Sequence, residues 1–255
     1  MSDPRDEAPL RLLLVRHGET VLNARGVLDA VTPGAPLSAR GRRQALELVD
    51  RLADEPIALL CHSSMVRTRM TVQPLATARG LEPVLIAGAE EIGAGDLQGA
   101  ADPARIRRYL ETAFAWSDGD LGPRVPGGED GVEFFRRFDT AIADMAHRLR
   151  STRREGASGS AVLVTHSAAI RVWVARRGHG LADGFSARRP LANTGIVVVE
   201  SVGDHREWRV VSWDDVGTDA ALPPSADLRD DPQGSPLGPD APRRAVRAGQ
   251  RSSSS

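Results

Sequence analysis

LRLLLVRHGET, residues 10–20, is the stretch from which the rest of the chain is read. Leu10 to Val15 is a short apolar run interrupted only by Arg11, the pattern of a strand buried on both faces. The run stops abruptly at Arg16-His17-Gly18, three residue types suited to an anion. An imidazole can attack phosphorus, a guanidinium can bind phosphate oxygens, and a glycine lets the backbone come close. On its own the triplet is a common chance string, and a satisfied buried histidine at a strand end would explain it better. Its weight depends on the residues that accompany it along the chain.

Working outward, Ala45, Leu48, Val49 and Leu52 share one helical face, with Ser38 placed as an N-cap. Ile57 to Cys61 is a second apolar strand, and a polar-capped helix runs from Ser63 or Ser64 to about Ala78. Glu82 to Ile86 suggests a third short strand. Residues 88 to 128 are mixed, with a short helix around Pro103 to Trp116 and a turn at Pro126-Gly127-Gly128. From about Glu129 to Arg150, Phe134, Phe138, Ile142, Met145 and Leu149 recur at helical steps. Ala161 to Thr165 is another buried strand that ends at His166, followed by a helix through Val174. Gly195 to Glu200 and Trp208 to Ser212 complete the strands.

Strands that alternate with helices imply an α/β fold: a parallel or mixed central sheet with helices on both faces. Ligands bind such sheets at the carboxyl ends of the strands. Three strands deliver Arg16-His17, His62-Ser63 and His166 to that edge. Residues 10–215 therefore read as one catalytic domain. Residues 1–9 read as a flexible charged start. Residues 216–255, with six prolines and no aromatic residue, read as a disordered tail whose basic end is solvated.

The net charge of −1 leaves no global field to attract nucleic acid or an acidic membrane surface. All 33 basic residues are arginine, which excludes a Walker-type phosphate loop and Schiff-base chemistry, since both need lysine. One cysteine, Cys61, can make neither an internal disulfide nor a multi-cysteine metal cluster. No apolar run approaches the roughly 20 residues that cross a bilayer, and the charged start does not read as a signal peptide. A cytoplasmic protein is the expectation.

Several motifs are decoys. Cys61 and His62 are strand neighbours that point apart, and no second pair of metal ligands follows. His147, His179 and His205 lack ligand spacing. Gly93-Ala94-Gly95 with Gly99 misses the dinucleotide fingerprint by one residue. His166-Ser167 is not the elbow of an esterase.

Arg16-His17-Gly18-Glu19-Thr20 with Asn23, then Pro36-Leu37-Ser38 with Gly41, Gln44 and Ala45, resembles the opening of the histidine phosphatase superfamily. That group includes the cofactor-dependent phosphoglycerate mutases. Ser63-Ser64-Met65-Val66-Arg67-Thr68 resembles its second segment, and Glu90-Glu91-Ile92 with Gly95 and Gly99 its acid-bearing segment. Pro126-Gly127-Gly128-Glu129, Val164-Thr165-His166 and Asn193-Thr194-Gly195 complete the order. The resemblance spans about residues 10 to 213 and implies a phosphoglycerate mutase-like, mostly parallel sheet.

Carried over residue by residue, it implies His17 as nucleophile and Glu91 as proton donor. Arg16, Arg67 and His166 would surround the phosphoryl oxygens, with Asn23 and the backbone N–H of Ser167 as further ligands. No metal and no cofactor are implied, because the arginines supply the positive charge. The attacking nitrogen must be unprotonated, so the other ring nitrogen should donate to a fixed acceptor.

Ser167 stands where the family usually has glycine, and Thr68, Met70 and Val72 replace commoner Ala, Gln and Ala. Leu97-Gln98 replaces an aromatic-acidic pair. Glu90, Asp96 and Glu129 remain alternatives to Glu91 as the acid.

The expected reaction is hydrolysis of a small phosphorylated metabolite through phosphohistidine. The alternatives are a phosphomutase and a non-catalytic phospholigand-binding module. The segment from Gly99 to Pro126 is short for a lid that keeps water out, which favours hydrolysis. Selectivity should come from residues 25–36 and 93–128, and a homodimer is implied by the resemblance alone.

Overall fold

In the computed structural model, residues 8–154, 159–203 and 207–214 are described. The expectations for the extreme N-terminus, His205 and the C-terminal tail lie outside them. The apolar run of the opening stretch forms β1 (Arg11–Arg16), at the middle of a seven-stranded sheet of order β3-β2-β4-β1-β6-β7-β5. Its neighbours are β4 (Ser160–Thr165), which is parallel, and β6 (Ile196–Val202), which is antiparallel. β2 (Ile57–His62) lies parallel to β4 and to the two-residue β3 (Val84–Leu85). On the other side, β7 (Glu207–Trp213) runs antiparallel to β6 and parallel to β5 (Gly178–His179). The sheet is mostly parallel, with β6 as the strand that reverses.

Strand residues alternate between two cores, which is why the strands read as continuous apolar runs. Leu12, Leu14, Cys61, Ala161, Leu163, Val197 and Val199 belong to one core. There they meet α3 (Pro103–Ala115), α4 (Gly131–Arg154) and α5 (Ser167–Arg177). Leu13, Val15, Leu60, Val162, Val164, Ile196 and Val198 face the other, under α1 (Ala39–Arg51) and α2 (Val66–Arg79). The helical repeat from Phe134 to Leu149 is wholly buried, as its spacing requires.

Local chemistry sets the helix ends. Ser38 caps α1 as expected, its Oγ accepting from the Gly41 N–H at 3.0 Å. Gly80 closes α2 in the left-handed conformation, φ 63°, which suits glycine. The start of α2 differs from expectation: neither Ser63 nor Ser64 caps it, and Met65 occupies that position with no side-chain cap. Ser63 is diverted, because its hydroxyl reaches His166 instead. The short β5 and α6 (Phe185–Arg188) were unanticipated; pieces of two and four residues carry no readable period.

Because β1, β2 and β4 are mutually parallel, their carboxyl ends fall on one edge. Register pairs Arg16 with Thr165, and His62 with Val164. Among the described residues, no helix is long and apolar enough to cross a membrane.

Candidate active site

Backbone pairing carries the end of β1 past the last strand residue. The His17 N–H donates to the Thr165 carbonyl at 3.0 Å, and the Thr194 N–H donates to the Arg16 carbonyl at 3.1 Å. The His17 ring is thereby held against His166, their ring centroids 5.2 Å apart and inclined at 60°. His17, Arg16, Arg67 and His166 are all at most 1% exposed.

His17 Nδ1 lies 2.8 Å from the Gly18 carbonyl. A carbonyl oxygen can only accept, so Nδ1 carries the proton and Nε2 keeps its lone pair. The neutral form is favoured too: burial lowers the His17 pKa well below the ordinary 6.5, and Arg67 and Arg16 add to the effect, against the Gly18 carbonyl. Gly18 serves packing as well. A Cβ there would lie 2.7 Å from the Gly41 carbonyl oxygen, so the start of α1 sits directly on this turn.

The two guanidinium groups and the second imidazole come from separate elements. Arg16 donates through Nη1 to the Leu191 carbonyl at 2.7 Å. Arg67, in the first turn of α2, donates through Nη2 to the Asp29 carbonyl at 3.1 Å and through Nη1 to Asp29 Oδ2 at 3.5 Å. His166 directly follows β4, in the N-cap position of α5, and meets Ser63 Oγ through Nε2 at 2.8 Å. Burial pushes its pKa well below the ordinary value, with Arg67, His17, Arg137 and Arg16 contributing. Arg67 Nε, His166 Nδ1 and Ser167 Oγ are buried with no hydrogen-bond partner among the described residues. Three such atoms on one strand edge are uncommon in a folded protein, and each can present the donor that an oxyanion's oxygens would accept from.

Of the four candidate acids, Glu91 is the one buried at this edge, 2% exposed. Its Oε1 accepts the N–H groups of Ala169 at 2.8 Å and Ile92 at 2.9 Å, and its Oε2 that of Ala168 at 3.2 Å. The carboxyl therefore sits at the N-terminus of α5. Burial raises its pKa, and that outweighs the lowering by these N–H groups and by Arg67.

The alternatives are otherwise placed. Glu129 is bound through both oxygens to the Arg137 guanidinium, and Asp96 is exposed, its backbone N–H donating to the Pro126 carbonyl at 2.7 Å. Glu90 accepts from the Ser64 N–H at 3.3 Å on the exposed side. Arg137 also donates to the carbonyls of Gly88, Glu90 and Glu91, fixing the backbone that presents Glu91.

Asn23 is buried, and its Oδ1 accepts from the Thr20 N–H at 3.1 Å. Ser167 opens α5, 1% exposed. The structure also brings in residues to which the sequence assigned no role at the site. Thr71 Oγ1 accepts from the Gly18 N–H at 3.0 Å and donates to the Arg67 carbonyl. Asn193 Nδ2 donates to the His17 carbonyl at 3.2 Å. Asp29 was visible only as one charge in a loop. A groove of about 1040 Å³ between α1 and α2 includes His62 and Arg69 in its lining but none of these site residues.

The family model of the histidine phosphatase superfamily (branch 1) matches residues 12–216. The PE-PGRS family protein PE_PGRS11 of Mycobacterium tuberculosis is 32% identical over 224 residues, 83% of this chain, and the chain spans 38% of that relative's length. A protein of Escherichia fergusonii described as "Probable phosphoglycerate mutase GpmB" is 27% identical over 80% of this chain and 90% of its own. Among solved structures, a mycobacterial glucosyl-3-phosphoglycerate phosphatase superposes with a TM-score of 0.65 at 23% identity, covering 81% of this chain and 100% of its own. A phosphoglycerate mutase from Bacillus anthracis gives 0.63 at 16% identity, covering 82% and 95%. At these identities the structural likenesses speak to the fold.

Proposed function

The chain belongs to the histidine phosphatase superfamily, and from that premise we propose that it hydrolyses phosphomonoesters of a small metabolite through a phosphohistidine on His17, without a metal. The observation that carries this reading is the His17 ring: its Nδ1 proton is committed to the Gly18 carbonyl, 2.8 Å away, so Nε2 is the nucleophile.

In the first step the Nε2 lone pair forms the N–P bond while the ester oxygen leaves with its electron pair. Arg16, Arg67 and His166 bind the three non-bridging oxygens, where charge accumulates in the transition state. Asn23 and the Ser167 N–H add hydrogen bonds. Glu91 gives its proton to the leaving oxygen, a role that suits a carboxyl whose pKa is raised by burial.

In the second step water attacks phosphorus, its proton passes to the Glu91 carboxylate, and the N–P bond breaks with the pair returning to Nε2. Inorganic phosphate is released and the enzyme is restored. Such acid–base assistance contributes roughly 10²- to 10⁴-fold. An acid phosphatase is the finer form of this reading.

The test is release of phosphate from an aryl phosphate in excess chelator, comparing wild type with His17→Ala. Chelator-resistant activity lost in the variant is the expected outcome, and activity that survives in His17→Ala would overturn the reading. The E. fergusonii relative favours a second reading, in which a substrate hydroxyl replaces water as acceptor. Turnover that requires a bisphosphate primer would select it.

A further inference from the structure

We propose that Asp29 is a positioning residue for phosphoryl transfer, holding the Arg67 guanidinium so that its Nε edge faces the phosphoryl group. This rests on the reading of Arg67 as a phosphate ligand. A long guanidinium side chain has no fixed orientation of its own, and a buried one needs its N–H groups met. Arg67 is 1% exposed. Both terminal nitrogens are occupied by one residue: Nη2 by the Asp29 carbonyl at 3.1 Å, Nη1 by Asp29 Oδ2 at 3.5 Å. Nε is the position left without a partner among the described residues.

Asp29 is itself held from two directions. Its Oδ2 accepts from the Ala35 N–H at 2.8 Å, and its Oδ1 from Gln98 Nε2 at 3.0 Å. Gln98 Oε1 returns to the same loop by accepting from the Ala30 N–H at 2.9 Å. The Pro33 carbonyl accepts from the Val66 N–H, at the start of α2, at 3.0 Å. Gly34 closes the ring, since a Cβ there would lie 2.3 Å from Arg67 Nη1. Residues 29–35 thus form a collar around the guanidinium, keyed through Gln98 to the segment that follows Glu91. The 3.5 Å carboxylate contact acts mainly through charge, and the carbonyl contact through direction.

The isosteric variant Asp29→Asn removes the charge and turns one acceptor into a donor that opposes the neighbouring N–H groups, while the backbone carbonyl stays. We expect kcat/KM for an aryl phosphate to fall about 10- to 100-fold, and the inhibition constant of inorganic phosphate to rise about tenfold, because a displaced cation is lost from the transition state. In an Arg67→Ala background the same change should cost less than about threefold, since coupled residues are non-additive.

Gln98→Ala frees Oδ1 but keeps the charge, and should move both constants in the same direction by about threefold. An Asp29→Asn protein that is folded by circular dichroism and within about threefold of wild type in both constants would overturn the proposal. So would an equal loss in the Arg67→Ala background, or a lowered Tm with unchanged constants, which would mark a purely structural role. Should Asp29→Asn not fold, a Gln98→Ala protein with wild-type constants would overturn it instead. If Arg67→Ala alone keeps wild-type kcat/KM and phosphate inhibition, the reading of Arg67 itself fails.

Discussion

Gly34→Ala is a one-methyl perturbation whose effect can be worked out in advance. Gly34 has φ +70°, and a Cβ there would sit 2.3 Å from Arg67 Nη1, 3.1 Å from the Val31 carbonyl oxygen and 3.3 Å from Asp29 Oδ2. Ordinary contact begins at 3.4 Å, so the guanidinium must retreat by 3.4 − 2.3 = 1.1 Å or the loop must lift by as much. Either movement breaks the collar. A left-handed alanine costs about 1–2 kcal/mol in backbone strain, and a misplacement of about 1 Å in a catalytic group costs about 10²-fold in rate. That rate loss corresponds to about 3 kcal/mol of transition-state stabilisation.

Gly80→Ala is the internal control. Gly80 has φ +63° but nothing within 4 Å of an added Cβ, so it carries the backbone strain without the contact. Urea unfolding and kcat/KM for an aryl phosphate should be measured for both variants. Both should lose similar stability from strain, while only Gly34→Ala loses about 10²-fold in kcat/KM. A folded Gly34→Ala enzyme within about threefold of wild type would refute the reasoning, because it would mean that the position of Arg67 does not limit turnover.

Glu91 must be protonated to donate, and burial raises its pKa, so kcat should fall as pH rises through that value; Glu91→Gln should lower the plateau about 10²- to 10⁴-fold and remove the alkaline limb. A pH–rate profile that keeps this limb in the variant would assign it elsewhere. His17 and His166 have folded-state pKa values well below 6.5, so their contribution to stability is present above 6.5 and is lost as pH falls below it. The slope is up to about 1.4 kcal/mol per pH unit for each histidine, and His166→Asn should flatten it in urea titrations from about pH 7 to 5; an unchanged slope would refute the assignment. The buried Cys61 thiol, pushed up to about 12 by desolvation, should resist an aromatic disulfide reagent at about pH 8 until urea unfolds the chain, and rapid stoichiometric labelling of the native protein would contradict the packing.

The fold was legible wherever burial on two faces or a helical stripe left a period. β1, β2 and β4 read as apolar runs because Leu12 and Leu13 enter different cores. α4 was readable from Phe134 to Leu149 because the buried residues recur on one face. The start of α2 departs from its reading because Ser63 has the composition of a cap but spends its hydroxyl on His166, 103 residues away; a tertiary contact overrode local propensity. That Arg16, His17 and His166 share one edge was legible because parallel strands in an α/β sheet bring their carboxyl ends together. Which of four neighbouring carboxyls lies at this edge was not legible, since that depends on Arg137 taking Glu129 and on the N-terminus of α5 taking Glu91. Asp29 was hidden for the same reason: its partner is 38 residues away across a loop without period.

The collar has a consequence for selectivity. Residues 29–35 fall within the region expected to choose the substrate, and Gln98 follows the acid. Yet both bond to the residue that fixes Arg67. A leaving group that presses this loop therefore acts on the phosphate-binding cation as well as on its own contacts. Binding energy from the remote part of a good substrate is then realised partly as a better-placed guanidinium, which raises kcat and not only affinity. Substitutions in the loop should accordingly change kcat and KM together, whereas a surface that merely tethered the leaving group would change KM alone.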